Sequence, residues 1–172
     1  MSLLRHAAIL ALAAVTLPSN AVDARRDRIE ARLRGFQEVP VVSSVASGRF
    51  KATIDATAGS ITYELSFSGL EGTVTQSHIH LGQHSVNGGI MVWLCQSATN
   101  VDPTGLSPTC PQSGTVTGVI QAANVIGPAG QGVAPLEFAE VLVALRAGVA
   151  YVNVHSSKFP GGEIRGQVRD DD

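Results

Sequence analysis

Gly48-Arg49-Phe50-Lys51-Ala52-Thr53-Ile54-Asp55 and Ser60-Ile61-Thr62-Tyr63-Glu64-Leu65-Ser66-Phe67 alternate apolar and polar residues along their length. Side chains two apart on a strand share a face. Phe50, Ala52 and Ile54 therefore form one apolar row, and Ile61, Tyr63, Leu65 and Phe67 another. Ala58-Gly59 between them is a turn signal, so the two runs predict a hairpin. Further strand-like runs follow at similar spacing: Ser77 to Leu81, Gly89 to Cys95, Ser113 to Gln121, Val149 to His155 and Glu163 to Val168. The run Ile90-Met91-Val92-Trp93-Leu94-Cys95 is more continuously apolar and predicts a central strand. Short strands with turns between them predict an all-β fold, an antiparallel sandwich or barrel.

One segment breaks the two-residue period. Between Pro135 and Ala147, acids come early, Arg146 comes late and Gly148 follows, while Phe138, Val141, Leu142 and Leu145 recur at helical spacing. This predicts one short helix over 135–147, packed over an end of the sheet.

At the amino end, Arg5 and His6 precede an apolar stretch from Ala7 to Leu17 and a small-residue motif ending at Ala21. That is the organisation of a cleaved secretory signal, too short to span a bilayer, and it predicts a secreted or periplasmic protein with no membrane span. Residues 1–21 are expected to be signal, 22–34 an exposed, basic extension, 35–169 a single domain and 170–172 a tail. About 150 residues suffice for one core. Twelve basic and fourteen acidic residues leave a net charge of −2, which offers no footprint for nucleic acid. Cys95 and Cys110, the only cysteines, bracket a polar, turn-rich loop and would meet an oxidising compartment, so a disulfide between them is expected.

Four of the five histidines lie in two strand-like segments, Ser77-His78-Ile79-His80-Leu81 with His84 just beyond, and Tyr151-Val152-Asn153-Val154-His155. At about 3.3 Å per residue, His78 and His80 project from one face about 7 Å apart. Should the second segment pair with the first, His155 becomes a third ligand of a metal ion, with His84 a fourth. Imidazole-rich sites of this kind suit copper or zinc. Ile79 and Leu81, like Val152 and Val154, occupy the opposite face, so the histidines are expected to point away from the core, toward solvent. Glu163 and Arg165 alternate on the last strand and could form an ion-pair cluster with Glu38 that pins it. Glu163 or Asn153 could instead orient a histidine ring by accepting its other N–H.

Several chemistries lack residues to carry them. Neither Asn87-Gly88-Gly89 nor Pro160-Gly161-Gly162 has the lysine or spacing of a phosphate loop. No serine sits in a nucleophile elbow, and neither cysteine has a base placed to activate it.

Gln37-Glu38-Val39-Pro40, Gly69-Leu70, Ser77-His78-Ile79-His80-Leu81-Gly82 with Asn87-Gly88-Gly89, Leu145-Arg146-Ala147-Gly148, Tyr151-Val152-Asn153-Val154-His155 and Pro160-Gly161-Gly162-Glu163-Ile164-Arg165-Gly166-Gln167 together resemble the chordin-type (CHRD) domain. The resemblance covers essentially the whole expected mature chain and implies an exported domain; its use in extracellular growth-factor antagonists implies an interaction module meeting an extracellular or envelope protein. The matching positions include His78, His80, Asn87, Gly88, His155, Gly162, Glu163, Arg165 and Gly166; His84 and the cysteine-bearing insertion do not belong to the shared pattern. A shorter likeness, in the order of His-x-His, a cysteine loop and Val-His, is to copper/zinc superoxide dismutase. It implies a Greek-key β-sandwich with copper on His78, His80, His84 and His155, and a dismutase as a further functional reading.

Overall fold

The computed structural model of the protein describes residues 28–171. The expected signal segment and its cleavage point lie outside these residues. The predicted hairpin forms as β2 (Ser47–Asp55) and β3 (Ser60–Ser68), antiparallel and in register from Ser47 opposite Ser68 to Asp55 opposite Ser60. Its apolar rows face inward, with Phe50, Ile61 and Leu65 fully buried.

Before the hairpin comes β1 (Arg28–Arg34), which pairs along its whole length with β2. This corrects the expectation of an exposed extension reaching residue 34. The charges fall at Arg28, Glu30, Arg32 and Arg34, leaving Ile29, Ala31 and Leu33 to point inward at 1% exposure or less. A period-two strand was hidden inside a basic run.

After β3 follow β4 (Val74–Leu81), β5 (Ile90–Cys95), β6 (Gly114–Ile120), helix α1 (Phe138–Arg146), β7 (Ala150–Ser156), β8 (Ile164–Gln167) and β9 (Arg169–Asp170). They make one sheet in the order β5-β4-β7-β8-β1-β2-β3-β6, antiparallel throughout, with β9 also joined to β1. The expected all-β architecture is therefore a nearly closed barrel with a single α-helix among the described residues. Asp170, assigned to a tail, takes part in β9.

β5 is not central as expected; it ends the path. Its continuous apolar run has another cause. The chain leaving β6 folds back so that Val125 bridges Val92 and Ile126 N–H donates to Met91 O at 3.0 Å, covering the edge where the barrel would close. Cys95 is fully buried and joined to Cys110, as expected. The helix begins three residues later than predicted, because Leu136 adopts φ +72° and donates its N–H to Val125 O instead. Val141, Leu142 and Leu145 are buried from it.

Candidate metal centre

β4 and β7 lie side by side, and their register decides the site. His80 stands opposite Tyr151, His78 opposite Asn153 and Gln76 opposite His155. Residues directly opposite in an antiparallel pair share a face, so all three histidines leave the barrel on its outer side. On the neighbouring strands Trp93 stands opposite His78, and Arg165 opposite Asn153.

The outer face is not open to solvent, which corrects the expectation from the alternating pattern. His78 is 1%, His80 8% and His155 6% exposed. Loops close over them. His80 donates its Nδ1–H to Gly88 O and His155 its Nδ1–H to Pro160 O, each at 2.9 Å. Asn87 Nδ2 donates to Val39 O at 2.9 Å, tying the loop before β5 to the loop after β1. Gly88 must be glycine for this arrangement, since a Cβ there would lie 1.6 Å from Leu81 O.

The rings converge. Centroids of His78 lie 5.3 Å from His80 and 4.9 Å from His155, and one nitrogen of each ring lies within 4.8 Å of the others. A metal bound at about 2.0 Å would hold its donors about 3.5 Å apart, so the rings must close by roughly an ångström on binding. His80 and His155 both have the hydrogen bond that ligating imidazoles commonly have, a backbone carbonyl on the far nitrogen that fixes the tautomer and aims the ring. This leaves Nε2 of His155 free to face a metal, whereas Nε2 of His80 lies 3.1 Å from the side-chain amide of Asn153, which must turn aside before that nitrogen can bind an ion.

His155 Nε2 and both nitrogens of His78 are buried without any hydrogen-bond partner. Such groups cost about 1–3 kcal/mol each in a folded protein. Burial lowers the pKa of His78 to about 2, reinforced by the neighbouring His155 and His80 rings. Burial likewise lowers His80 to about 4 and moves His155 downward. All three are neutral at physiological pH, the state a metal requires.

His84 does not join them; it sits exposed in the loop, with Nδ1 2.8 Å from Ser85 Oγ. Asn153 does reach a ligand, its Oδ1 lying 3.1 Å from His80 Nε2 rather than beside His155. Glu163 does not orient a histidine. Fully buried, it accepts from Ser44 Oγ at 2.7 Å, Ser156 Oγ at 2.5 Å and Glu71 N–H at 2.9 Å, fastening three separate segments. The expected Glu163–Arg165 fork gives way to a different job for the arginine. Arg165 stacks 3.4 Å above the Tyr151 ring and donates to Asn87 Oδ1, Gln83 O and Val86 O, clamping the loop that covers His80.

Three residues complete the site that spacing alone did not single out for it. The His78 ring meets Trp93 edge to face at 4.3 Å, and Tyr151 stacks on His80 at 4.6 Å with an angle of 3°. Glu38 is buried with Oε1 unpartnered, and burial raises its pKa to about 7 against the opposing pull of the Val39 N–H and Arg165. Cross-strand register, invisible in a single segment, sets the first two.

No curated protein and no solved structure matches the chain. The CHRD domain family model does, over residues 29–168. That span starts inside β1 and ends at the junction of β8 and β9, taking in β1 from its second residue, β2 to β8 and all three converging histidines. By that match the chain belongs to the CHRD domain family.

Proposed function

We propose that this domain works outside the cytoplasm and binds a single transition metal, copper or zinc, through His78, His80 and His155, for sequestration, delivery or stability. The supporting observation is the pair of buried rings left with free lone pairs, His78 and His155, facing a third neutral imidazole. A metal ion supplies the missing partner. CHRD domains are typically extracellular, consistent with the signal expected over 1–21, and among the described residues no helix is long and apolar enough to cross a membrane.

Titration of the purified domain with copper and zinc, followed through histidine ring NMR signals, tests the reading. One ion per chain is expected, and His155→Ala should weaken binding well over about tenfold. Absence of stoichiometric binding below about micromolar sinks it.

A second reading has its own observation. Phe36, Val41 and Val45, on the loop beside the site, are 71%, 69% and 88% exposed. Solvated aliphatic and aromatic groups within one short segment of the chain suit a metal-free module that meets an extracellular or envelope protein. The dismutase reading has less support, since the four-histidine arrangement it implied does not assemble without His84.

A further inference from the structure

We propose that the site selects the cuprous ion over divalent ions, an inference that rests on the metal reading above and names its cargo. The argument is one of charge, dryness and ligand count. All three donors are uncharged imidazoles, and among the described residues no carboxylate joins the group. The self-energy of a buried ion grows as the square of its charge, so a divalent ion costs about four times as much to dehydrate here as a monovalent one. Without an anionic ligand, nothing in the donor set offsets that difference.

The surroundings make it larger. The guanidinium of Arg165, always protonated and 2% exposed, lies on Tyr151, which lies in turn on His80. Its positive charge acts on His80 directly. Glu38 interacts with both Arg165 and Tyr151 in this column, so its charge when present offsets part of the arginine's. What Glu38 leaves uncancelled of the arginine's charge penalises a second unit of charge on the metal.

Coordination number points the same way. Zinc in proteins is almost always four-coordinate, using water or a fourth side chain. Here the fourth histidine is out of reach, and the wall next to His78 is the indole of Trp93. Three neutral nitrogens in a dry pocket match the trigonal preference of cuprous copper.

The test compares two ions on one protein. Cuprous ion, supplied under argon with ascorbate and competed against a chromogenic cuprous chelator, gives one affinity; zinc, competed against a chromogenic zinc chelator, gives the other. Trp93 is the sole tryptophan, so its emission reports occupancy of this site alone. Cuprous copper should bind at least about a hundredfold more tightly than zinc and quench Trp93. Asn153→Asp places a carboxylate beside His80 and should shrink that ratio by about tenfold or more. Equal or tighter zinc binding that still depends on His155 overturns the inference and leaves the metal site standing. Failure of both ions to bind takes down the inference and the metal site together.

Discussion

The inner and outer faces of β4 and β7 are made of alternate residues on the same two strands, yet they hold together by different means. Inward, Ile79, Val152 and Val154 are fully buried against the barrel core and need nothing but contact. Outward, His78, His80, Tyr151, Asn153 and His155 are buried almost as deeply, at 8% exposure or less. Every polar atom there must find a partner, and several do not. A face that gives up stability in this way is retained for something other than folding. The inner face makes the barrel; the outer face makes a site.

Adjacent substitutions should separate the two most sharply. Ile79→Ala should lower the unfolding free energy by about 3 kcal/mol, while the folded fraction keeps its metal affinity. His78→Ala should do the reverse, costing about 1 kcal/mol or less in the metal-free protein and more than about a hundredfold in affinity. Urea unfolding with and without metal reads both, and a His78→Ala variant that unfolds as readily as Ile79→Ala would erase the distinction. Replacing both Cys95 and Cys110 with serine should cost about 3 kcal/mol, from the loop of 15 residues that it frees, without moving metal affinity. Differential scanning calorimetry beside a metal titration checks it.

Acid should act on the outer face. In the unfolded chain the three imidazoles titrate near 6.5, whereas burial keeps them neutral in the fold, His80 down to about 4 and His78 to about 2. Below pH 6.5 the unfolded state takes up protons that the folded state refuses, so stability is full above that pH and falls as pH drops through it. Glu38 opposes this trend. With its pKa raised to about 7, the folded chain keeps a proton between roughly pH 4.5 and 7 that the unfolded chain has lost, which favours the fold as pH falls. His78 and His80 outweigh the one carboxyl in the acid half of that window, and His155 acts in the same direction, so unfolding takes up protons there. Glu38→Gln should steepen the acid loss, measured as unfolding free energy against pH with a chelator present. The smallest effect is expected at His84→Ala, within about twofold in affinity and about 0.5 kcal/mol in stability. A larger drop in affinity would draw the loop histidine back into the site.

Much of the scaffold was legible because local pattern and tertiary role agree there. The β2–β3 hairpin, the helix and the cysteine pair follow from alternation, helical spacing and compartment. β1 was misread for a specific reason: its arginines draw the eye, although Ile29, Ala31 and Leu33 keep strict alternation between them. β5 was placed centrally because a continuous apolar run records burial on both faces, and the returning chain at Val125 and Ile126 provides that burial as well as a neighbouring strand would. Of the site, His78, His80 and His155 were legible as ligand types on strands. Their burial was not, since period two tells which side chains share a face and is silent on what covers it.

What the amino acids determined unaided is the character of each strand, one apolar row and one histidine-bearing row on β4 and on β7, because side-chain direction along a strand is a local property. What the tertiary structure alone decided is which rows meet and what closes over them. Register brought residue 155 to residues 78 and 80, Arg165 and Gly88 drew a loop across the rings, and Glu163 was spent on fastening three segments. Those outcomes depend mainly on contacts between residues about 70 to 120 positions apart, whose energies appear only when the barrel has formed.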